Sequence, residues 1–488
     1  MRIVDTVYIN GEFVIPQGDQ WVEITNPATE EVIGRARMGD ERDIDQAVDA
    51  ARAAFAVWRQ STVEERIVVL RRLSALAAEH QDAFASTMIE EFGGPSQFVH
   101  QCMVGTGIIL ESYATTLESF DFVRDIGGAK VAMVPVGVVG AIIPWNCDIP
   151  FLCNKIGTAI AAGCSIVIKP SEFSALQTQA FIECLHKANL LPGLVNIVNG
   201  TGAVAGARLS SHPDIAKIAF TGSVATGQAI MRAAADTMKR ITLELGGKSP
   251  SVLLEDVDLE EALPHVLGLG FINNGQVCAA GTRVLVPEAR MEEALAAIKE
   301  AVEAIKVGPT SDPEVGLGPV ASRTQFDRVQ DYIELGLKEG AVLVTGGPGR
   351  HESQQQGWFV KPTVFAGDNR MRIAQEEIFG PVLCVIPYRD EEEAIAIAND
   401  TKYGLKAYVF GSDSKRAFDV ANRIDAGQVL VNGAPFSSMA PFGGFKMSGI
   451  GRENGVAGLE SHLELRAVIA AESIPSTFSS DELPVPTH

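Results

Sequence analysis

Several absences narrow the reading of this chain. No run of 18 or more apolar residues occurs in its 488 residues, so no membrane-spanning helix is expected. The opening Met1-Arg-Ile-Val-Asp-Thr brings an acid early and lacks a long apolar core, so it reads as no secretory leader. Basic residues are in deficit: 40 Lys and Arg stand against 61 Asp and Glu, a net charge of −21. That balance argues against nucleic acid and anionic membranes as partners and favours solubility. The seven cysteines are odd in number, scattered, and never spaced Cys-x-x-Cys. This fits reduced thiols in a cytoplasmic setting, and with eight histidines that show no ligand spacing it leaves no expected metal site.

The apolar fraction of 46% and charged fraction of 21% are those of a globular protein, and the length implies two or three domains. Residues 43–90 repeat apolar positions at helical spacing. From Val134 to Gly246, short β-branched runs alternate with amphipathic ones. Strands are expected at Val136–Ile143, Ser165–Lys169, Val195–Val198, Ile215–Phe220 and Ile241–Glu244, with helices near 150–162, 176–189 and 225–236 between them. Such alternation predicts an α/β fold with a mostly parallel, doubly wound sheet whose ligands sit at the carboxyl ends of the strands. A second α/β segment starts afresh after Gly246, with helices near 259–272 and 290–305 and strands at Val382–Ile386 and Ala407–Phe410. The stretch from Ser476 reads as a loosely held tail.

Chemistry-bearing residues fall at the predicted strand ends. Lys169, Ser171 and Glu172 follow one strand, Gly200-Thr-Gly202 another, and Phe220-Thr-Gly-Ser-Val-Ala-Thr-Gly227 turns a third into a helix. A Gly/Ser turn opening a helix offers backbone N–H groups to an anion, and Lys and Glu beside it can bond ribose hydroxyls, so three such turns favour a dinucleotide. A cysteine closes Phe271-Ile-Asn-Asn-Gly-Gln-Val-Cys278, an amide lies in Ile143-Pro-Trp-Asn146, and a carboxylate precedes flexible backbone in Leu243-Glu-Leu-Gly-Gly-Lys248. A thiolate, an oxyanion donor and a carboxylate base are the parts of acyl transfer through a thioester.

Seven segments in order extend this: Pro144-Trp-Asn146, Lys169-Pro-Ser-Glu172, Phe220-Thr-Gly-Ser223, Leu243-Glu-Leu-Gly-Gly-Lys248, Gly275-Gln-x-Cys278, Glu377-Ile-Phe-Gly-Pro381 and Pro441-Phe-Gly-Gly-x-Lys-x-Ser-Gly449. Together they resemble the NAD(P)-dependent aldehyde dehydrogenase superfamily from Asn26 to Glu460. The resemblance implies Cys278 as nucleophile, Asn146 and the Cys278 backbone N–H as oxyanion donors, and Glu244 as the base that activates water, with Lys169 counted beside them. It assigns Lys169 and Glu172 to the adenosine ribose, and Ser223 with the Gly222–Gly227 turn to the pyrophosphate. Glu377 falls to the nicotinamide ribose and Phe379 to the ring, although composition alone would equally make Phe379 core. Ile143, Pro144, Trp145, Ser171, Gly202, Gly206, Phe220, Leu245 and Gln325 complete the expected cofactor set. A carboxylate at Glu172 would repel a 2′-phosphate, so NAD is expected, with NADP weaker.

The same resemblance implies a cofactor domain over 1–117 and 136–246, a catalytic domain over 247–446, and a bridging, oligomerising element over 118–135 and 447–475, built from a hairpin near 118–135 and a strand near 463–473, hence a homo-oligomer, with a tail over 476–488. Two departures bear on substrate. The family's Pro-Trp-Asn-Phe-Pro becomes Pro-Trp-Asn-Cys-Asp, so Cys147 should widen the tunnel or be a neutral change of size. Succinate-semialdehyde members carry an arginine where this chain has Asn154. With Asp148 nearby, no evident cation, and Phe151 and Phe436 at tunnel positions, an uncharged aliphatic or aromatic aldehyde is expected. The alternatives are a semialdehyde, a betaine aldehyde, or a CoA-acylating reaction, which Glu244 argues against. A non-catalytic homologue that keeps only the fold is disfavoured by intact Cys278, Asn146 and Glu244.

Overall fold

The computed structural model describes residues 1–470. The helical pattern over 43–90 resolves into two helices, Glu41–Trp58 and Val63–Phe92, because two N-terminal signals lie inside it. Asp40 and Asp43 form a capping box at the first, and Thr62 and Glu65 form one at the second, where Thr62 N donates to Glu65 Oε2 at 2.8 Å. Each box satisfies donors the helix cannot, so the chain restarts at Thr62 and does not run through. A third helix, Ser96–Glu118, packs on the second and was not foreseen in the sequence.

One sheet has eight strands, in the order Gly449–Ile450, Arg240–Glu244, Lys217–Thr221, Val138–Ile142, Ser165–Lys169, Val195–Ile197, Val7–Ile9 and Glu12–Val14. The five from Arg240–Glu244 to Val195–Ile197 run parallel, and antiparallel strands close both edges. Chain order reverses at Val138–Ile142: the next two strands lie on one side of it and the following two on the other. This is the switch point of a doubly wound sheet, and the crevice it opens is where Ile143–Asn146 leave the sheet.

The second sheet has seven strands, in the order Val342–Thr345, Thr363–Ala366, Val382–Tyr388, Arg283–Pro287, Pro250–Leu253, Lys406–Phe410 and Gln428–Val431. Only the first of these is antiparallel to its neighbour. Buried Val, Leu and Ile fill both faces, as parallel strands covered by helices require. Its middle is anchored by Arg283, which is fully buried. The guanidinium donates to Lys248 O at 3.0 Å, Asn369 Oδ1 at 3.0 Å, Ile397 O at 2.8 Å and Ala398 O at 2.8 Å. One side chain thus ties the sheet to helix Glu391–Asn399 and to the Gly247–Lys248 turn.

A small antiparallel sheet joins Val123–Ile126, Ala129–Pro135 and Leu463–Val468, with Leu463 opposite Pro135. It unites the expected hairpin with the expected late strand. The end of that strand expectation, near residue 473, and the tail from Ser476 lie outside the described residues. Another three-stranded sheet, Arg2–Val4, Val32–Arg37 and Trp21–Thr25, packs on helix Ala175–Lys187. Replacing Arg283 by Met should leave buried carbonyls unpaired and lower the stability by roughly 3 kcal/mol or more. Thermal or urea unfolding of the purified variant checks this, and an unshifted midpoint would contradict it.

Candidate active site

The two large sheets meet end to end. The first contributes its carboxyl edge, bearing Asn146, Lys169, Ser223 and Glu244; the second contributes its amino edge, bearing Lys248, Cys278, Glu377 and Lys406. A cluster of polar side chains locks the junction. Asn146 Nδ2 donates to Gln276 O at 2.9 Å, and Asn273 Nδ2 donates back to Asn146 O at 3.1 Å. Trp145 meets Phe379 edge to face with centroids 5.5 Å apart. Asn146 and Cys278, 132 positions apart in sequence by their numbers, are thereby held on adjoining turns.

The turn before Cys278 is backbone-strained. Asn273 and Asn274 have φ of 52° and 61°, and Gly275 follows at 73°. Asparagine tolerates this region better than most residues, and Asn274 is held there by three long-range hydrogen bonds. It donates to Gly93 O and Pro319 O at 3.0 and 2.8 Å and accepts from Gly318 N at 2.7 Å. Gly275 has no alternative: a Cβ there would stand 2.1 Å from Gly380 O. Gly247 is equally confined, since a Cβ would stand 2.4 Å from Cys278 O. Glycine at these two motif positions lets the three strand-end segments touch.

Cys278 is half-buried. Burial pushes its thiol up to about 12, with Glu377 and Glu244 adding to the rise and Lys406 and the Ala279 N–H opposing it. The resting Cys278 thiol is therefore protonated at neutral pH. Glu244 is 2% exposed, and neither carboxylate oxygen has a hydrogen-bond partner. Burial, then the charge of Glu453, hold its carboxyl well above the ordinary range, against the pull of Lys155 and Arg452. A carboxylate with both oxygens free and a raised proton affinity is suited to take a proton from water or a thiol.

Lys155 and Glu453 form a buried ion pair near Glu244, and Lys155 Nζ also donates to Thr221 Oγ1 at 3.2 Å. Neither was picked out from the sequence, although a lone lysine inside the apolar helix Asp148–Ala162 was the available signal. Lys406 was also missed; it opens the wholly buried strand Lys406–Phe410, where parallel strands seldom carry charge.

Most of the residues expected to hold the cofactor stand at the carboxyl ends of the first sheet's strands. Lys169 is 3% exposed and donates to Glu172 Oε2 at 3.2 Å. Ser171 caps the short turn carrying Glu172 by accepting from Phe173 N at 3.3 Å. Ser223 caps helix Val224–Ala235, accepting from Thr226 N at 3.2 Å, and the turn is pinned by Gly222 N donating to Glu244 O. Gly227 packs on Leu245, and Phe220 is buried beneath. Gly202–Gly206 form a single wide turn of helix, with Gly206 facing the Lys169 side chain. Across the crevice, Glu377 Oε1 accepts from Gly247 N at 3.2 Å. Gln325 Nε2 donates to Phe379 O at 2.7 Å, so it secures the segment that presents Glu377 and Phe379, the latter at a φ of 65°. A helix N-terminus for phosphate, a lysine–carboxylate pair at a strand end, and an opposed carboxylate and aromatic ring fit a dinucleotide.

Two substrate expectations are corrected. Asp148 does not face the site: it is fully buried, and its carboxylate accepts from Ser174 Oγ at 2.8 Å and Thr178 Oγ1 at 2.9 Å. It ties the start of its helix to the segment after Lys169, with burial raising its carboxyl to about 7. Asn154 is likewise 8% exposed and committed, accepting from Tyr113 Oη at 2.6 Å and donating to Glu453 Oε2 at 2.7 Å. It buttresses the Lys155–Glu453 pair from within the protein. Cys147 and Phe151 are half-buried beside Trp145, and Phe436 is exposed.

The junction thus brings a thiol, a buried carboxylate and a crevice that fits a dinucleotide to one place. The sequence pattern of the aldehyde dehydrogenase family matches residues 13–468, and the chain belongs to that family. It is an oxidoreductase of aldehydes with NAD as cofactor. It is 40% identical over 97% of its length to the whole of a 3-succinoylsemialdehyde-pyridine dehydrogenase from a Pseudomonas species. Aldehyde dehydrogenase C of Pseudomonas syringae, solved as a variant with NAD+ and octanal, superimposes with a TM-score of 0.95. The two are 42% identical over 96% of this chain and 98% of that one. A Mycobacterium tuberculosis aldehyde dehydrogenase bound to NAD+ gives a TM-score of 0.93 at 40% identity, over 98% and 99% of the two chains. Among the described residues, no helix is long and apolar enough to cross a membrane, and no group of His, Cys, Asp and Glu could hold a metal.

The raised thiol makes a direct prediction. Without substrate, inactivation by iodoacetamide should accelerate about tenfold per pH unit across the neutral and mildly alkaline range, because the thiolate fraction is still far from saturation. A plateau near the ordinary cysteine value of about 8.5 would contradict it.

Proposed function

We propose that Cys278 attacks the aldehyde carbonyl and that the product acid leaves after water opens a Cys278 thioester. The observation that carries this reading is the meeting of Asn146, Cys278 and an unpartnered Glu244 at one junction. Glu244 takes the thiol proton; the sulfur adds to the carbonyl carbon, and the oxygen gains negative charge. Asn146 Nδ2 and the Cys278 N–H are the donors for that charge, a contribution typically worth about 100- to 1,000-fold in rate. Asn146 Nδ2 spends one hydrogen on Gln276 O, which fixes its plane and leaves the other hydrogen for the oxyanion. NAD, when bound, supplies the hydride acceptor. Glu244 passes the thiol proton to solvent, then takes a proton from water, whose oxygen attacks the thioester carbonyl, and the Cys278 sulfur leaves as a thiolate that is reprotonated.

Lys169 and Glu172 would hold the adenosine ribose, the Ser223-capped turn the pyrophosphate, and Glu377 the nicotinamide ribose beside Phe379. Glu172 favours free ribose hydroxyls over a 2′-phosphate. The cofactor domain would span 1–117 and 136–246 and the catalytic domain 247–446. The element at 118–135 and 447–475 would bridge subunits of a homo-oligomer, a reading supported by exposed Leu465, Val468 and Ile469 on its last strand and just beyond it. The tunnel expected along Cys147, Phe151 and Phe436 suits an aliphatic or aromatic aldehyde body. Water as acyl acceptor, in preference to CoA, follows from Glu244.

Purified protein should reduce NAD with a panel of aldehydes and release acid without added CoA. Cys278→Ala should abolish this, and Asn146→Ala should lower kcat by about 100- to 1,000-fold. NADH formation by Cys278→Ala, or turnover that requires CoA, would overturn the reading. In the same assay Cys147→Phe should depress kcat/KM for bulky aldehydes more than for short ones, and an unchanged ratio would show that Cys147 does not set tunnel width.

A further inference from the structure

Lys406 is 7% exposed, yet among the described residues its ammonium has no hydrogen bond and no ion pair. Strand Lys406–Phe410 puts Lys406 and Tyr408 on one face, and Tyr408 Oη donates to Ala279 O at 2.8 Å, beside the nucleophile. The ammonium stands between two rings, 5.8 Å from the centroid of Tyr408 and 5.3 Å from that of Phe436. Phe436 is itself 52% exposed, so this cage opens outward while its floor touches the Cys278 turn.

Aromatic faces attract a cation but accept none of its three N–H bonds. The Nζ itself is not sealed from solvent, so its acceptors must come from water or a guest, and it sits where Cys278 is otherwise surrounded by the carboxylates Glu244 and Glu377. Burial lowers its proton affinity to about 8, so it remains largely charged at neutral pH. Asp148 and Asn154, which argued from the sequence against an acidic guest, are turned into the interior. The objection that no cation faces the site falls with them.

Resting on the aldehyde-oxidising reading, we propose that Lys406 is a specificity-determining residue that binds a carboxylate at the far end of the aldehyde, making semialdehydes of dicarboxylic acids the preferred substrate class. The rings of Tyr408 and Phe436 hold the ammonium in place, and the carboxylate supplies the missing acceptor. A neutral aldehyde of the same length leaves the ammonium unpaired and binds more weakly.

The test pairs butanal with succinate semialdehyde and pentanal with glutarate semialdehyde, using full-length enzyme and NAD. The wild type should favour the acid of each pair in kcat/KM. Lys406→Met should cut that ratio by about 10- to 100-fold, mainly through KM, and Lys406→Arg should keep most of it. An unchanged ratio in Lys406→Met overturns the proposal. So does an equal loss on both members, which would make the ammonium a counter-charge for the Cys278 thiolate. A measurement that needs no variant is protection of wild-type Cys278 from iodoacetamide: glutarate should protect at lower concentration than pentanoate, and equal protection overturns the proposal. Wild-type enzyme that oxidises neutral aldehydes without preferring the acids defeats only the role of Lys406. No NADH from any aldehyde defeats the aldehyde-oxidising reading as well.

Discussion

The hydrogen bond from Asn146 Nδ2 to Gln276 O, answered by Asn273 Nδ2 to Asn146 O, joins the carboxyl edge of one parallel sheet to the amino edge of another. Each sheet alone presents half a site. The first offers an amide, a carboxylate and a helix N-terminus; the second offers a thiol, a lysine and the Glu377 carboxylate. Their register across the junction is set by short contacts that tolerate no extra atom, which is why glycine stands at Gly247 and Gly275. The left-handed backbone of Asn273 and Asn274 is the cost of turning the chain so that Gln276 O meets Asn146, and the hydrogen bonds of Asn274 offset it.

Electrostatics at this junction hold the Cys278 thiol in its protonated form. Burial and two neighbouring carboxylates raise the proton affinity of Cys278, and burial raises that of Glu244 as well. A thiol and a carboxylate that both hold protons more tightly than usual exchange one at smaller cost than a normal carboxylate could. The Lys155–Glu453 pair moderates the site from beneath: Glu453 raises Glu244 and Lys155 lowers it, so the base is tuned by a pair whose own charges nearly cancel.

The fold class and the order of elements were legible because each parallel strand is a short apolar run ended by proline, glycine or a polar turn. Ser165–Lys169 coincides residue for residue with its expectation, and most other strands and helices shift by only one to three positions. The two helices hidden in residues 43–90 were separable only by their capping boxes, a local signal that apolar periodicity overrides. In the site, Cys278, Asn146 and Glu244 were visible because each sits in a motif with glycine or proline beside it. Asp148 and Asn154 were misread because closeness in sequence to Asn146 says nothing of which side of the helix faces the tunnel. Glu453 lay out of reach, since its contact with Lys155 spans 298 positions. Lys406 was concealed in a run otherwise typical of a buried strand.

The proposed reaction turns on a Cys278 thioester that Glu244 opens. Mixing the Glu244→Gln variant with NAD and aldehyde and analysing intact and digested protein by mass tests it most directly. At most one NADH per active site is expected, formed more slowly than in the wild type because the thiol has lost its base and faster as the pH rises, followed by little turnover, with the acyl mass retained on the peptide that contains Cys278. Undiminished steady turnover with no acyl mass on that peptide would contradict it.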